Sequence, residues 1–314
     1  MITSLFKNNA ISYLIILVVA SAIWLWNYIG LSGTENFSML FGGEKLTVNK
    51  QNLIIFSFFF TLIPAWFINY RLKQQLFSYE PTNIFLFFYV IIMGLGIKSQ
   101  GYIVYLVLSL LLVIFVSYLI SFRDKESNVN PIFNSAFIVG ALMFHNLFFA
   151  LLLLVLIQNL NTFKRITIKE LFVVITGFTL PYLLILAFSE LTDNYIFLTS
   201  VFELNFQSPA FNYAEWIFVF ILITLGFMGY KVVIQKRTGI DVTIIRLTKN
   251  LFSFYLGSIL LAVVSLFLEL FEFTYFILAI PLSVFLSDYF ANSKFKWKEP
   301  LFILVVLAFS YHLF

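Results

Sequence analysis

The chain contains no cysteine and only two histidines, His145 and His312. The first absence excludes disulfides, thiol nucleophiles and iron–sulfur ligation. The second leaves too few imidazoles for the multi-histidine iron sites of membrane oxygenases. Charge is scarce too: Asp, Glu, Lys and Arg make up 11% of the residues, against about 25% in a soluble domain. There is no phosphate-binding Gly-rich loop with its lysine, no nucleophile elbow and no metal-ligand cluster. No metal or other cofactor is therefore expected.

Apolar residues fill the space that charge leaves. They are 61% of the sequence, and the mean hydropathy is +0.99. A soluble fold of 314 residues cannot hide that much apolar surface, and exposing it would aggregate the protein. A bilayer accepts it, so the expected class is an all-α polytopic transmembrane helix bundle, one integral membrane domain over 1–314. The net charge of +4 has a simple source in basic cytoplasmic loops. Membrane lipid, not nucleic acid, is the implied partner.

A span needs about 20 apolar residues. Suitable runs cover 11–30, 53–70, 102–122, 170–188, 213–230, 251–268 and 273–289, with shorter ones at 83–97 and 300–314. Ala20-Ser21-Ala22 resembles a signal-peptidase site, but the apolar run continues through Ile23-Trp24-Leu25-Trp26. This reads as a first span, not a cleaved leader. One stretch, 132–160, is apolar but flanked by Arg123 and Lys125 on one side and by Lys164, Arg165 and Lys169 on the other. Basic flanks belong in the cytoplasm, so the stretch is expected to cross twice as a short helical hairpin turning at His145-Asn146. That makes about eleven spans with the N-terminus inside. Of the 19 Lys and Arg, only Lys45, Lys50 and Lys98 then fall outside.

The external loops are 30–52 and 189–212. The second lacks Lys and Arg but carries Tyr195, Phe197 and Phe202, which predicts a helical segment in the outer interface. Inside, Asn161–Glu170 and Lys231–Asn250 read as basic connectors resting on anionic lipid. The 42 phenylalanines read as interchangeable lipid-facing residues or, functionally, as the lining of an aromatic lipid groove.

An ionisable residue within a membrane is a functional candidate because unpaired charge there is costly. Glu269 and Glu272 fall in an external turn, Glu215 opens a span, and Asp288 has Lys294 nearby as a partner. Glu35 lies in Gly33-Thr34-Glu35-Asn36 of the first external loop. A carboxylate there can act as a general base at the outer surface, where lipid phosphates lie; an exposed loop carboxylate is the plainer reading. His145 at the hairpin turn can donate to a phosphate or shuttle a proton, or simply be a polar turn residue. These two are the candidate catalytic residues.

From Met1-Ile2-Thr3-Ser4-Leu5-Phe6-Lys7 onward, and most of all around Phe144-His145, the chain resembles a family of uncharacterised polytopic membrane proteins of Bacteroidota. That resemblance implies a bacterial inner membrane location and no assigned activity. The segment 101–188, with its line Asn134-Ser135-Ala136-Phe137-Ile138-Val139-Gly140-Ala141-Leu142-Met143-Phe144-His145, also resembles the middle of C-type (GT-C fold) membrane glycosyltransferases. Those enzymes use lipid-linked sugars at the outer face and keep an acidic residue in the first external loop, where Glu35 falls. His145 stands where they commonly have lysine, and a lone Glu35 replaces an acidic pair. The resemblance implies a polyprenyl-phosphate-linked substrate. Ala136 and Gly140, four apart, also have a packing explanation, since small residues let helices approach closely. Two functions are thus in play: handling of a lipid-linked envelope precursor at the periplasmic face, with glycosyl transfer as its specific form, or a non-catalytic subunit or scaffold with membrane-protein partners.

Overall fold

A computed structural model describes residues 5–6, 9–30, 34–38, 45–75, 83–96, 102–121, 129–143, 147–163, 166–192, 213–237, 242–267, 273–292 and 295–313. Among these residues lie eleven α-helices: α1 Ala10–Gly30, α2 Lys50–Gln75, α3 Ile84–Leu95, α4 Tyr102–Ser121, α5 Val129–Met143, α6 Leu151–Phe163, α7 Ile168–Thr192, α8 Tyr213–Arg237, α9 Val242–Phe267, α10 Phe273–Asn292 and α11 Lys298–Leu313. Six of them, α1, α2, α7, α8, α9 and α10, are long and apolar enough to cross a membrane. A 3-10 turn at Leu147–Ala150 precedes α6. The loop between α1 and α2 departs from the all-α expectation. It forms an antiparallel hairpin of β1 Thr34–Ser38 and β2 Lys45–Asn49.

Burial separates centre from periphery. In α10, 94% of the most apolar window is buried, against 17% in α7. A helix that is apolar all round can be stable only in such a central place or in lipid. α10 packs against α3, α4, α8, α9 and α11, while α3 is buried from Ile84 to Gly94. The aromatic residues form this interior. Phe88 and Phe290 stack at 5.5 Å, and Phe302 meets both. Phe85, Phe88, Phe254, Phe276, Phe285 and Phe290 are among the largest fully buried side chains. These buried rings are not lipid-facing, which corrects that reading for them; others, such as Phe56, Phe172 and Phe220, are exposed.

Contacts fix the helix directions. Ser12 at the start of α1, Asn69 near the end of α2 and Asn83 before α3 are hydrogen-bonded together, so these three ends meet. α10 runs antiparallel to α3, since Gly96 meets Phe276 and Phe88 meets Phe290. It runs parallel to α8, with Gly226 against Leu282 and Gly229 against the Phe285 carbonyl.

α5 and α7 also run parallel: Gly177 lies against Phe133 and Ala136, and Gly140 against Phe178 and Pro181. The chain therefore returns between them, and α6 is the return. The ends of 132–160 lie on one side, as the basic flanks predict. α3, α5 and α6 have 12, 15 and 13 residues. At 1.5 Å per residue they rise only about 18–22 Å, less than a hydrocarbon core of about 30 Å.

The basic connector expected at Lys231–Asn250 is mostly helix. α8 continues to Arg237 and α9 begins at Val242. Lys and Arg are good helix formers, and helices that outrun the hydrocarbon carry them into the headgroup region. α7 likewise extends past its apolar run, starting at Ile168 behind a capping box. Oε2 of Glu170 accepts from the Thr167 amide and hydroxyl, each at 3.0 Å, and the Glu170 amide donates back to the Thr167 hydroxyl.

Candidate functional site

The site is built where α1 and α2 leave the bundle. Apolar residues at Trp24, Leu25, Tyr28, Ile54, Ile55 and Phe58 line a groove of about 310 Å³ between the two helices. Its floor is held by one directed bond. The Trp24 indole N–H donates to the Ser57 hydroxyl at 2.7 Å, and that hydroxyl donates to the Ile54 carbonyl at 2.7 Å. Phe58 meets Trp24 edge-on at 5.9 Å. Leu25 and Ile55 are exposed at the rim.

The β-hairpin stands at the end of this groove. It follows α1 after three residues and runs straight into α2. Glu35 occupies the second position of β1, opposite Val48 in the register. Of the predicted pair, this is the one that the described residues include, and only its backbone position is described.

His145 lies outside the described residues, between Met143 and the turn at Leu147. The helix directions put the Met143 end of α5 at the same end of the bundle as Gly30 of α1. Laterally the two are apart: α2 packs on α4, and α4 packs on α5. With helix axes about 8–10 Å apart, α4 separates the hairpin from the α5 end. No residue of α5 lines the groove. Of the expected interfacial segment 189–212, residues 189–192 end α7 and the rest lies outside the described residues, as does the pair Glu269 and Glu272. Asp288 is buried, and the Asn292 amide donates to it at 3.3 Å; its expected partner Lys294 is not among the described residues.

The opposite end of the bundle holds polar groups that the search for charged residues passed over. Asn83 is fully buried. Its side-chain amide donates to the Ser12 hydroxyl at 2.6 Å, its side-chain oxygen accepts from Asn69 at 3.2 Å, and its backbone N–H donates to the Phe6 carbonyl at 2.7 Å. Between α6 and α9, the Ser253 hydroxyl donates to the Gln158 side-chain oxygen at 2.7 Å. Asn159 and Asn250 are buried beside that bond. Both polar atoms of the Asn250 side chain and Oδ1 of Asn159 lack a hydrogen-bond partner among the described residues. The signal was present in the sequence as adjacent Gln158-Asn159 in one apolar run and Asn250 with Ser253 in another. Among the described residues no group of three His, Asp or Glu side chains is placed to hold a metal ion.

The groove between α1 and α2 can thus take an apolar chain, with the β-hairpin at its end, while the polar groups at the other end of the bundle tie helices together. Compared with known proteins, the chain matches no family model, no curated protein and no solved structure.

Proposed function

We propose that the chain is a multi-pass protein of a bacterial inner membrane that binds a lipid-linked envelope precursor at the periplasmic face and transfers its sugar. In this reading its N-terminus and basic helix ends are cytoplasmic, and all eleven helices enter the bilayer. The observation that supports it is the apolar groove between α1 and α2, open at Leu25 and Ile55 and ending at the hairpin that carries Glu35. Its volume is at the lower end of ligand pockets and suits part of a polyprenyl tail. A phosphate at the hairpin, with its tail in the groove, would present the sugar carbon to an acceptor hydroxyl. Glu35 would take the hydroxyl proton as the new C–O bond forms and the lipid phosphate departs with the old bond's electrons.

A photoactivatable polyprenyl phosphate should label the wild type in α1 and α2. Leu25→Trp at the exposed rim should occupy part of the tail's space and weaken labelling by roughly tenfold, equivalent to about 1.4 kcal/mol. Glu35→Gln should retain labelling and lose transfer. Labelling untouched by Leu25→Trp, or transfer untouched by Glu35→Gln, would overturn the reading.

A non-catalytic role in a membrane complex is the second reading, and α7 favours it. That helix packs mainly on α5 and exposes Phe172, Leu183 and Leu184. It replaces the first reading if a stoichiometric partner copurifies, Phe172→Lys releases it, and Glu35→Gln has no phenotype.

A further inference from the structure

The inner end of the bundle carries a second apolar groove, remote from the first. Leu5 and Phe6, Ile15 of α1, Phe87 of α3 and the α11 residues Phe302, Ile303, Val306 and Leu307 enclose about 290 Å³. Its floor is a triangle of rings: Phe6–Phe87 at 4.7 Å, Phe6–Phe302 at 5.8 Å and Phe87–Phe302 at 5.8 Å. Phe6 is tied in place by the bond from the Asn83 backbone, so the groove is built on a fixed support. One side is open, where Leu5, Ile303 and Leu307 are exposed.

The turn that leads into α11 differs from the walls of this groove. α11 starts at Lys298, four residues and so about one helical turn before Phe302 on the same face. Before it stands Lys294-Phe295-Lys296-Trp297-Lys298, alternating cation and aromatic. Lys296 is exposed, Lys298 is half-buried, and Phe295 and Trp297 are 51% and 67% exposed. Exposed aromatic rings beside lysines mark the headgroup level of a bilayer. Glu299 adds one negative charge in the first turn of α11; the lysines of the turn outnumber it.

We propose that this groove holds an anionic phospholipid of the leaflet at the basic end of the bundle, one acyl chain against Phe6, Phe87 and Phe302 and the phosphate at Lys296 and Lys298. The reason is charge complementarity, with lysines at the start of α11 about one helical turn from a wholly apolar slot. A free phosphate would use the lysines alone, and a neutral lipid would use the slot alone. Only a lipid with an anionic head uses both. Such a lipid would pack the N-terminal residues and α11 onto α3, closing the flank of the bundle that the outer groove does not reach.

Native mass spectrometry of the purified chain with palmitoyl-oleoyl phosphatidylglycerol tests this. Each lysine near the membrane surface contributes about 1 kcal/mol toward anionic lipid, so K296Q/K298Q should weaken retention by about 30-fold. Ile303→Trp, which fills the slot and leaves the lysines, should also weaken it. Glycerol phosphate should not compete, and phosphatidylethanolamine should bind less well than phosphatidylglycerol. Equal retention by the double lysine variant, competition by glycerol phosphate, or equal binding of phosphatidylethanolamine would overturn the proposal. The lysine variants change only a surface turn, so circular dichroism and melting should match wild type. The outcome is independent of the outer groove, because Leu25→Trp should leave phosphatidylglycerol retention unchanged.

Discussion

Asn83 and Asn250 are both buried amides in apolar surroundings, and their effects on stability are opposite. Asn83 exchanges hydrogen bonds with Ser12, Asn69 and Phe6. Removing its side chain strands the groups it serves, at about 1–3 kcal/mol for each buried group left unpaired. Asn83→Leu should therefore lower the unfolding temperature in detergent, while the backbone bond that holds Phe6 remains. Asn250 has no such partner among the described residues. Replacing an unpaired buried amide by an apolar side chain of similar size removes its desolvation cost, so Asn250→Leu should raise the unfolding temperature by the equivalent of about 1–2 kcal/mol. A fall on Asn250→Leu would mean that the amide has a polar partner in the assembled protein. An Asn at the head of an apolar run looks the same in both cases. Which of the two is satisfied depends on a neighbour 71 residues away in one case and absent among the described residues in the other.

At the scale of helices, small residues decide which pairs can touch. A methyl group at Gly177 would fall 2.6 Å from the Phe133 carbonyl oxygen and 3.1 Å from Cβ of Ala136. Gly140 meets the Phe178 backbone and Pro181 in the same crossing. Without a hydrophobic drive between helices in lipid, such close approach is what holds them together. α7 has little else, with most of its surface outside the core. Gly177→Leu should cost about 1–3 kcal/mol and detach α7 from α5, read as proteolysis at the α6–α7 turn. Gly226 is constrained differently: the Tyr255 ring occupies the place of a side chain while its hydroxyl donates to the Ile223 carbonyl at 2.8 Å. The Ala136–Gly140 spacing that resembles a glycosyltransferase signature is fully accounted for by the α5–α7 crossing. It supplies no separate argument for activity.

For the whole molecule, the central prediction is sidedness. The sequence contains no cysteine, so single cysteines can be labelled without background. Introduced at Lys125, Lys164, Lys236 and Lys296, they should react only from the cytoplasmic side, and at Asn194 only from outside. Opposite labelling of Lys125 and Lys164 would break the two-pass reading of 132–160 and invert every later helix. The parallel course of α5 and α7 argues for agreement, because the chain must come back between them.

Composition and charge order determined a good deal by themselves. The shortage of charge required a membrane-like helical bundle, since no soluble surface could be made from this sequence. The basic flanks of 132–160 required both its ends on one side. The apolar runs predicted α1 and α3 nearly to the residue, because polar residues bound each run, Asn8-Asn9 before the first and Thr82-Asn83 and Lys98 around the second. Only the tertiary structure decided which of the apolar helices is central. Both Thr274–Asn292 and Ile168–Leu191 are apolar enough to span a membrane, and the less apolar of the two is the one that packing buries. The two grooves and the asparagine cluster were likewise out of reach. Each depends on residues from different helices meeting at one depth, and a single sequence records the residues without recording which faces they share.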